Sequence, residues 1–182
     1  MNAETFIEAF YQEFNKQKPA GYGKIWTKQI YRILSSIGQK AGFEVNHKII
    51  ENEKGQKEGY GEINLIDFTY TPKADQPNWT PPAVVIEHEN QYKTEETRKD
   101  FWKLCLYAVP LRIMIGYRKT ADEAKETGDE LATFYTRQGL RQLPDGETVL
   151  IMGWDQLAEH RQWHIWQKSG KQDWVKSNTN QN

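Results

Sequence analysis

Three acidic residues, Asp67, Glu87 and Glu89, carry the most specific chemistry this sequence offers. They fall in the stretch from Gly61 to Gln91, GEINLIDFTYTPKADQPNWTPPAVVIEHENQ. Its first half reads as a strand ending near Asp67. The apolar run Ala83 to Ile86 reads as a second strand that delivers Glu87 and Glu89 at its end. Successive side chains on a strand alternate faces, so Glu87 and Glu89 project the same way and His88 the opposite way. If the two strands pair, the three carboxylates converge within a few ångströms, since neighbouring strands lie about 4.8 Å apart. Three acids that close repel one another unless a cation sits among them. A hard divalent ion such as Mg²⁺ (or Mn²⁺), which takes oxygen ligands and keeps several waters, fits that need. The plainer reading is that acids at strand ends are solvated and idle, because most Asp and Glu are simply exposed. The order of the surrounding elements decides between the two.

Before the acids, Phe6, Ile7, Phe10, Tyr11 and Phe14 recur at helical spacing over residues 4 to 15. Pro19, Gly21 and Gly23 then break the pattern. A second helix over about Lys24 to Ala41 carries Trp26, Ile30, Ile33, Leu34, Ile37 and Ala41 on one side, with Gly42 available as its cap. Phe43 to Ile50 alternates as a strand, and the polar, glycine-punctuated Glu51 to Gly61 suits a hairpin connection. Strands over Ile63 to Tyr70 and Ala83 to Glu89 complete an antiparallel meander.

Beyond the acids, TEETRKDFWKLCLYA predicts a helix with Thr94 as its cap, Phe101, Leu104, Cys105 and Ala108 as its buried stripe, and Pro110 as its stop. A strand over Leu111 to Tyr117 then lies parallel to the previous one, because the helix carries the chain back. A helix over Ala121 to Gln138, weakened at Gly128, a strand over Thr148 to Gly153 and a hairpin over Trp163 to Lys176 follow. The last residues, SNTNQN, are expected to fray.

At 182 residues the chain fits one domain, large enough for a real core. Only 37% of it is hydrophobic, so the seven Trp, nine Tyr and seven Phe must supply much of the burial and belong inside. The net charge of -1 excludes polyanion binding by overall charge and leaves only local basic patches for nucleic acid. A single cysteine, Cys105, excludes an internal disulfide and a cysteine-based zinc site. The amino-terminal residues do not resemble a signal peptide, and no apolar run approaches the roughly 20 residues that cross a bilayer. The expectation is a soluble, cytoplasmic protein with no membrane partner.

The order helix, three antiparallel strands, helix, strand, with Asp67 on the second strand and Glu87-x-Glu89 on the third, resembles the core of the PD-(D/E)XK nuclease superfamily. The resemblance covers about residues 24–117 and implies a restriction-endonuclease-like α/β fold, a mixed central sheet flanked by helices, with extra helices and a C-terminal hairpin as additions. It implies that Asp67 and Glu87 ligate a divalent metal. Glu89 stands where that family has its lysine, and Ile66 stands where it has proline. Some members resemble this chain in carrying a second glutamate there, and others in moving the basic group to the next helix. Lys103 is then the candidate helper, with Lys93 a looser one.

Phosphodiester hydrolysis needs an activated water, stabilised charge on the phosphoryl oxygens and help for the leaving alkoxide. Glu89 could bind a second ion or accept the water's proton. Around the next helix, Lys93, Arg98, Lys99 and Lys103 could neutralise phosphates, with Asn90 and Gln91 offering amide contacts. The same KTEETRKD segment also reads as an ordinary salt-bridged turn, and an Asp100–Lys103 pair would tie up the proposed lysine. The functional expectation is Mg²⁺-dependent cleavage of nucleic acid, DNA before RNA. The alternatives are a catalytically degenerate binding or regulatory module on the same fold, and a small-molecule enzyme using the acids around a metal. His160 and His164 have helical ligand spacing without a third ligand, and the two GYG triplets read as turns rather than phosphate loops.

Overall fold

The computed structural model describes residues 1–21, 23–48, 50–51, 57–58, 66–73, 80–137, 146–154, 163–170 and 172–179. The amino-terminal aromatic stripe lies on helix α1, Ala3–Gln17, which Asn2 caps by accepting a 2.9 Å hydrogen bond from the Thr5 amide. Helix α2, Gly23–Lys40, buries Trp26, Ile30, Ile33, Leu34 and Ile37 as their spacing requires. It ends one residue before Ala41, which is therefore exposed, and Gly42 at φ +83° turns the chain out of it.

Strand β1 (Phe43–His47) then enters the sheet. Next come a separate two-stranded ribbon, β2 (Ile50–Glu51) with β3 (Lys57–Glu58), and strands β4 (Phe68–Pro72) and β5 (Val84–Glu89). Helix α3 (Thr94–Cys105), strand β6 (Leu111–Arg118), helix α4 (Ala121–Arg137) and strands β7 (Glu147–Trp154), β8 (Trp163–Ser169) and β9 (Val175–Thr179) complete the described elements.

The sheet has seven strands in the order β1-β4-β5-β6-β7-β8-β9. β1, β4 and β5 are antiparallel, β5, β6 and β7 parallel, and β8 and β9 antiparallel again. This is an α/β fold with a mixed sheet flanked by four helices among the described residues. One face packs on α1 and α2 through Val84, Ile86, Ile113, Ile115, Val149 and Ile151. The other packs on α3 and α4 through Val85, Met114, Leu150 and Met152. Covering both faces makes β6 buried along its whole length. Phe101 and Leu104 of α3 are fully buried, each contributing roughly 1.5–3 kcal/mol of hydrophobic stabilisation. No helix among the described residues is long and apolar enough to cross a membrane.

Several boundaries differ from the sequence reading. Ile63 to Leu65 lie outside the described residues, and Asp67 stands in a bend just before β4 rather than at a strand end. α3 stops at Cys105, so Ala108 falls beyond it and is exposed, and its cap position is Lys93, with Thr94 already helical. Ser177 to Thr179 do not fray: they pair with Ile165, His164 and Trp163. Not every tryptophan is inside. Trp26, Trp154, Trp163 and Trp166 are buried, but Trp102 is 48% exposed because it sits next to Phe101 on the outward side of α3.

Candidate functional site

The antiparallel register pairs Phe68 with Ile86, so the residue before Phe68 comes level with the residue after Ile86. Those two residues are Asp67 and Glu87. They line one cavity of about 380 Å³ together with Glu89, Asp100, Lys103, Lys48, Gln91, Asn90, His88, Thr27 and Tyr31. The alternation on β5 holds as expected: Val85 and Glu87 lie toward α3, whereas the His88 ring packs against Tyr31 and Tyr117 on the α2 side.

Each acid is held differently. Asp67 is buried, accepts a 3.2 Å hydrogen bond from the His88 amide at Oδ2, and has Lys48 Nζ at 3.8 Å from Oδ1. Its own carbonyl accepts the Lys48 amide at 2.9 Å, which fixes the end of β1 beside it. Glu87 has only 1% of its side chain exposed, and Lys103 Nζ lies 2.8 Å from its Oε1. The same Nζ is 2.9 Å from Asp100 Oδ1, so the expected pair forms without confining the lysine to its own helix. Glu89 is half-buried and accepts the Gln91 amide at 2.6 Å.

Burial disfavours the charged form of all three acids. It raises Asp67 against the opposing pull of the His88 amide and Lys48. Together with the charge of Asp67, it pushes Glu87 up to about 9, despite Lys103. Burial also raises Glu89, and neighbouring Asp100 adds to the effect. Burial works against the charge of Lys103 too, but Glu87 and Asp100 outweigh it and hold the ammonium firmly protonated. Four carboxyl groups thus share a cavity with two ammonium groups. The imbalance is met either by protons on the acids or by an added cation.

The donor set is one of hard oxygens, as Mg²⁺ requires. Among the described residues, however, no group of three or more His, Cys, Asp or Glu is placed so that it could hold a metal ion. Lys103 stands against Glu87 instead. An ion could share Glu87 with Lys103 only through the second carboxylate oxygen, with Asp67 and Glu89 closing in.

The proposed nucleic-acid contacts are scattered. Gln91 lines the cavity and is exposed, and Lys93 stands exposed at the start of α3. Arg98 pairs with Glu130 of α4, and Lys99 pairs with Glu95 and Glu96 at 3.5 and 3.0 Å. Asn90 is a tether: its Nδ2 donates at 3.0 Å to both the Gly23 carbonyl and Thr27 Oγ1, tying the end of β5 to the first turn of α2. Sequence reasoning missed Lys48 as a cavity residue and placed Asp100 only as a partner of Lys103. His160 lies outside the described residues, and His164 stacks on Trp154 at 4.6 Å in β8. Of the two GYG triplets, Gly59 to Gly61 also lies outside them. Cys105 is buried, as its helical face required, and burial pushes its thiol up to about 12. Against known proteins, the chain matches no family model, no curated protein and no solved structure.

Proposed function

We propose that this protein is a restriction-endonuclease-like, Mg²⁺-dependent nuclease that hydrolyses phosphodiester bonds, with DNA as its first substrate class. The observation that carries the reading is the convergence of Asp67, Glu87 and Glu89 in one cavity, with the Lys103 ammonium brought to Glu87 from the following helix. The antiparallel run β1, β4, β5 followed by α3 and parallel β6 supports the resemblance in topology.

In this reading Asp67, Glu87 and Glu89 hold the ion. When bound, it would lower the pKa of a coordinated water and neutralise charge on the phosphoryl oxygens. The chain's own groups do the rest. Lys103 fixes the orientation of Glu87 and keeps a positive charge beside it. Glu89, with its basicity raised by burial, accepts the proton of the attacking water. Gln91 and Lys93 face incoming phosphates at the cavity's edge. Arg98 and Lys99 are engaged in exposed ion pairs, each worth about 1 kcal/mol or less, so a phosphate can exchange for those carboxylates at little cost.

A second reading has one observation of its own: Lys103 already neutralises Glu87, and no ligand group is preassembled among the described residues. That favours a module that keeps the fold and binds without cutting. Calorimetric titration with Mn²⁺, followed by incubation of supercoiled and single-stranded DNA with Mg²⁺, separates the two. Heat of binding in the wild type and not in Asp67→Asn, with metal-dependent nicking, is the outcome expected of a nuclease. DNA binding with neither metal uptake nor product would replace it with the binding module.

A further inference from the structure

The cavity is served by two lysines from opposite directions, and their surroundings give them different freedom. Lys103 comes from α3, is 30% exposed, and lies within 2.9 Å of two carboxylates, one of them on Glu87 with only 1% of its side chain exposed. Drawing it away would strand a buried carboxylate, and breaking a buried pair by removing one partner costs far more than breaking an exposed one. Lys48 comes from the end of β1, is 51% exposed, and stands 3.8 Å from Asp67, at the outer limit of ion pairing. Its backbone is fixed by the 2.9 Å bond from its amide to the Asp67 carbonyl, so the side chain pivots from a defined point at the acids.

Resting on the nuclease reading, we infer that Lys48, not Lys103, is the cation that contacts the substrate phosphate, and that Lys103 is a positioning residue for Glu87. A flexible ammonium on a fixed stem suits a phosphate arriving from solvent, whereas one held between two carboxylates does not. An anionic phosphate also relieves Lys48 of a single long contact, at little loss to the protein.

The test measures two things on wild type, Lys48→Met, Lys48→Arg and Lys103→Met, with melting curves confirming folding. One is the affinity and salt dependence for a labelled DNA duplex in Ca²⁺, and the other is KM and kcat for plasmid nicking in Mg²⁺. Lys48→Met is expected to weaken duplex binding roughly tenfold, to reduce the slope of log affinity against log salt by about one, and to act mainly on KM. Lys48→Arg restores the slope. Lys103→Met is expected to keep the wild-type slope while kcat falls. A wild-type slope and KM in Lys48→Met, or a lost slope in Lys103→Met, overturns the assignment of Lys48 while leaving the nuclease reading standing. Wild-type protein that neither binds the duplex nor nicks plasmid sinks both.

Discussion

Lys103 Nζ lies 2.8 Å from Glu87 Oε1, so a helix outside the sheet supplies the positive charge that the strand, with Glu89 in place of lysine, lacks. The pair is nevertheless an expensive one for the metal-free fold. Burial and Asp67 together raise Glu87 to about 9, which means that ionising it costs more than Lys103 returns. Glu87→Gln keeps the shape and removes the charge. In metal-free protein this variant is expected to hold or gain stability, by about 1 kcal/mol, or roughly 2–4 °C in melting temperature. It should take up no Mn²⁺. A fall of several degrees in a thermal melt would show instead that the ion pair is a net support.

Glu13 offers the contrasting case, a carboxylate whose charge the fold rewards. It accepts hydrogen bonds from Lys40, from Gln17 at 3.1 Å and from Ser36 at 2.9 Å, and these hold its pKa at about 2. A depressed acid contributes stability at pH above its unfolded value of about 4.5, and that contribution drains away as pH falls toward 2. Urea midpoints of wild type and Glu13→Gln should therefore differ at neutral pH, by about 1–2 kcal/mol, and converge near pH 3. Equal midpoints at neutral pH would remove Glu13 from the α1–α2 contact.

Much of this site was legible because it follows from short-range rules. The alternation in VVIEHE places Glu87 and Glu89 together and His88 opposite, and the Asp100–Lys103 spacing predicts their contact. What was not legible depends on register across long connections. Lys48 reaches Asp67 only because β1 pairs with β4 so that its amide meets the Asp67 carbonyl, and the intervening polar segment leaves that register open. Asp67 was expected at a strand end because the apolar residues before it look like strand. The pairing of Phe68 to Pro72 with β1, and of Phe68 to Tyr70 with β5, decides otherwise. Trp102 was placed inside by composition alone, whereas the stripe set by Phe101, Leu104 and Cys105 turns it outward.

Gly128 looked like a weakness in α4, and the structure gives it a packing reason. A Cβ there would fall 2.2 Å from Trp166 Cη2, so the bare backbone is what lets the helix lie on that ring. The Trp166 indole also donates to Asp129 Oδ1 at 2.9 Å, which fixes the ring against the helix. Alanine improves helix propensity by up to about 1 kcal/mol, but the overlap costs about 1–3 kcal/mol or more. Gly128→Ala is therefore expected to lower the melting temperature, and pairing it with Trp166→Leu should recover part of the loss. A stabilised single variant would contradict this placement of α4.

Asn90 joins the acid-bearing strand to the helix across the cavity. Its two hydrogen bonds end on the Gly23 carbonyl and Thr27 Oγ1, both in the first turns of α2, and Thr27 also bonds the Gly23 carbonyl at 3.1 Å. A neutral amide in a half-exposed position is worth about 0.5–1.5 kcal/mol per hydrogen bond, so Asn90→Ala should cost about 1–2 kcal/mol in chemical denaturation. The loss should be local. Hydrogen exchange is expected to quicken at the first turns of α2 while β6, buried on both faces, keeps its protection. Asn90→Asp removes the donors and adds a negative charge, so it should loosen the same turn more than alanine does. Unchanged exchange at residues 27–30 in both variants would mean that α2 is held at the cavity by its packing on the sheet alone.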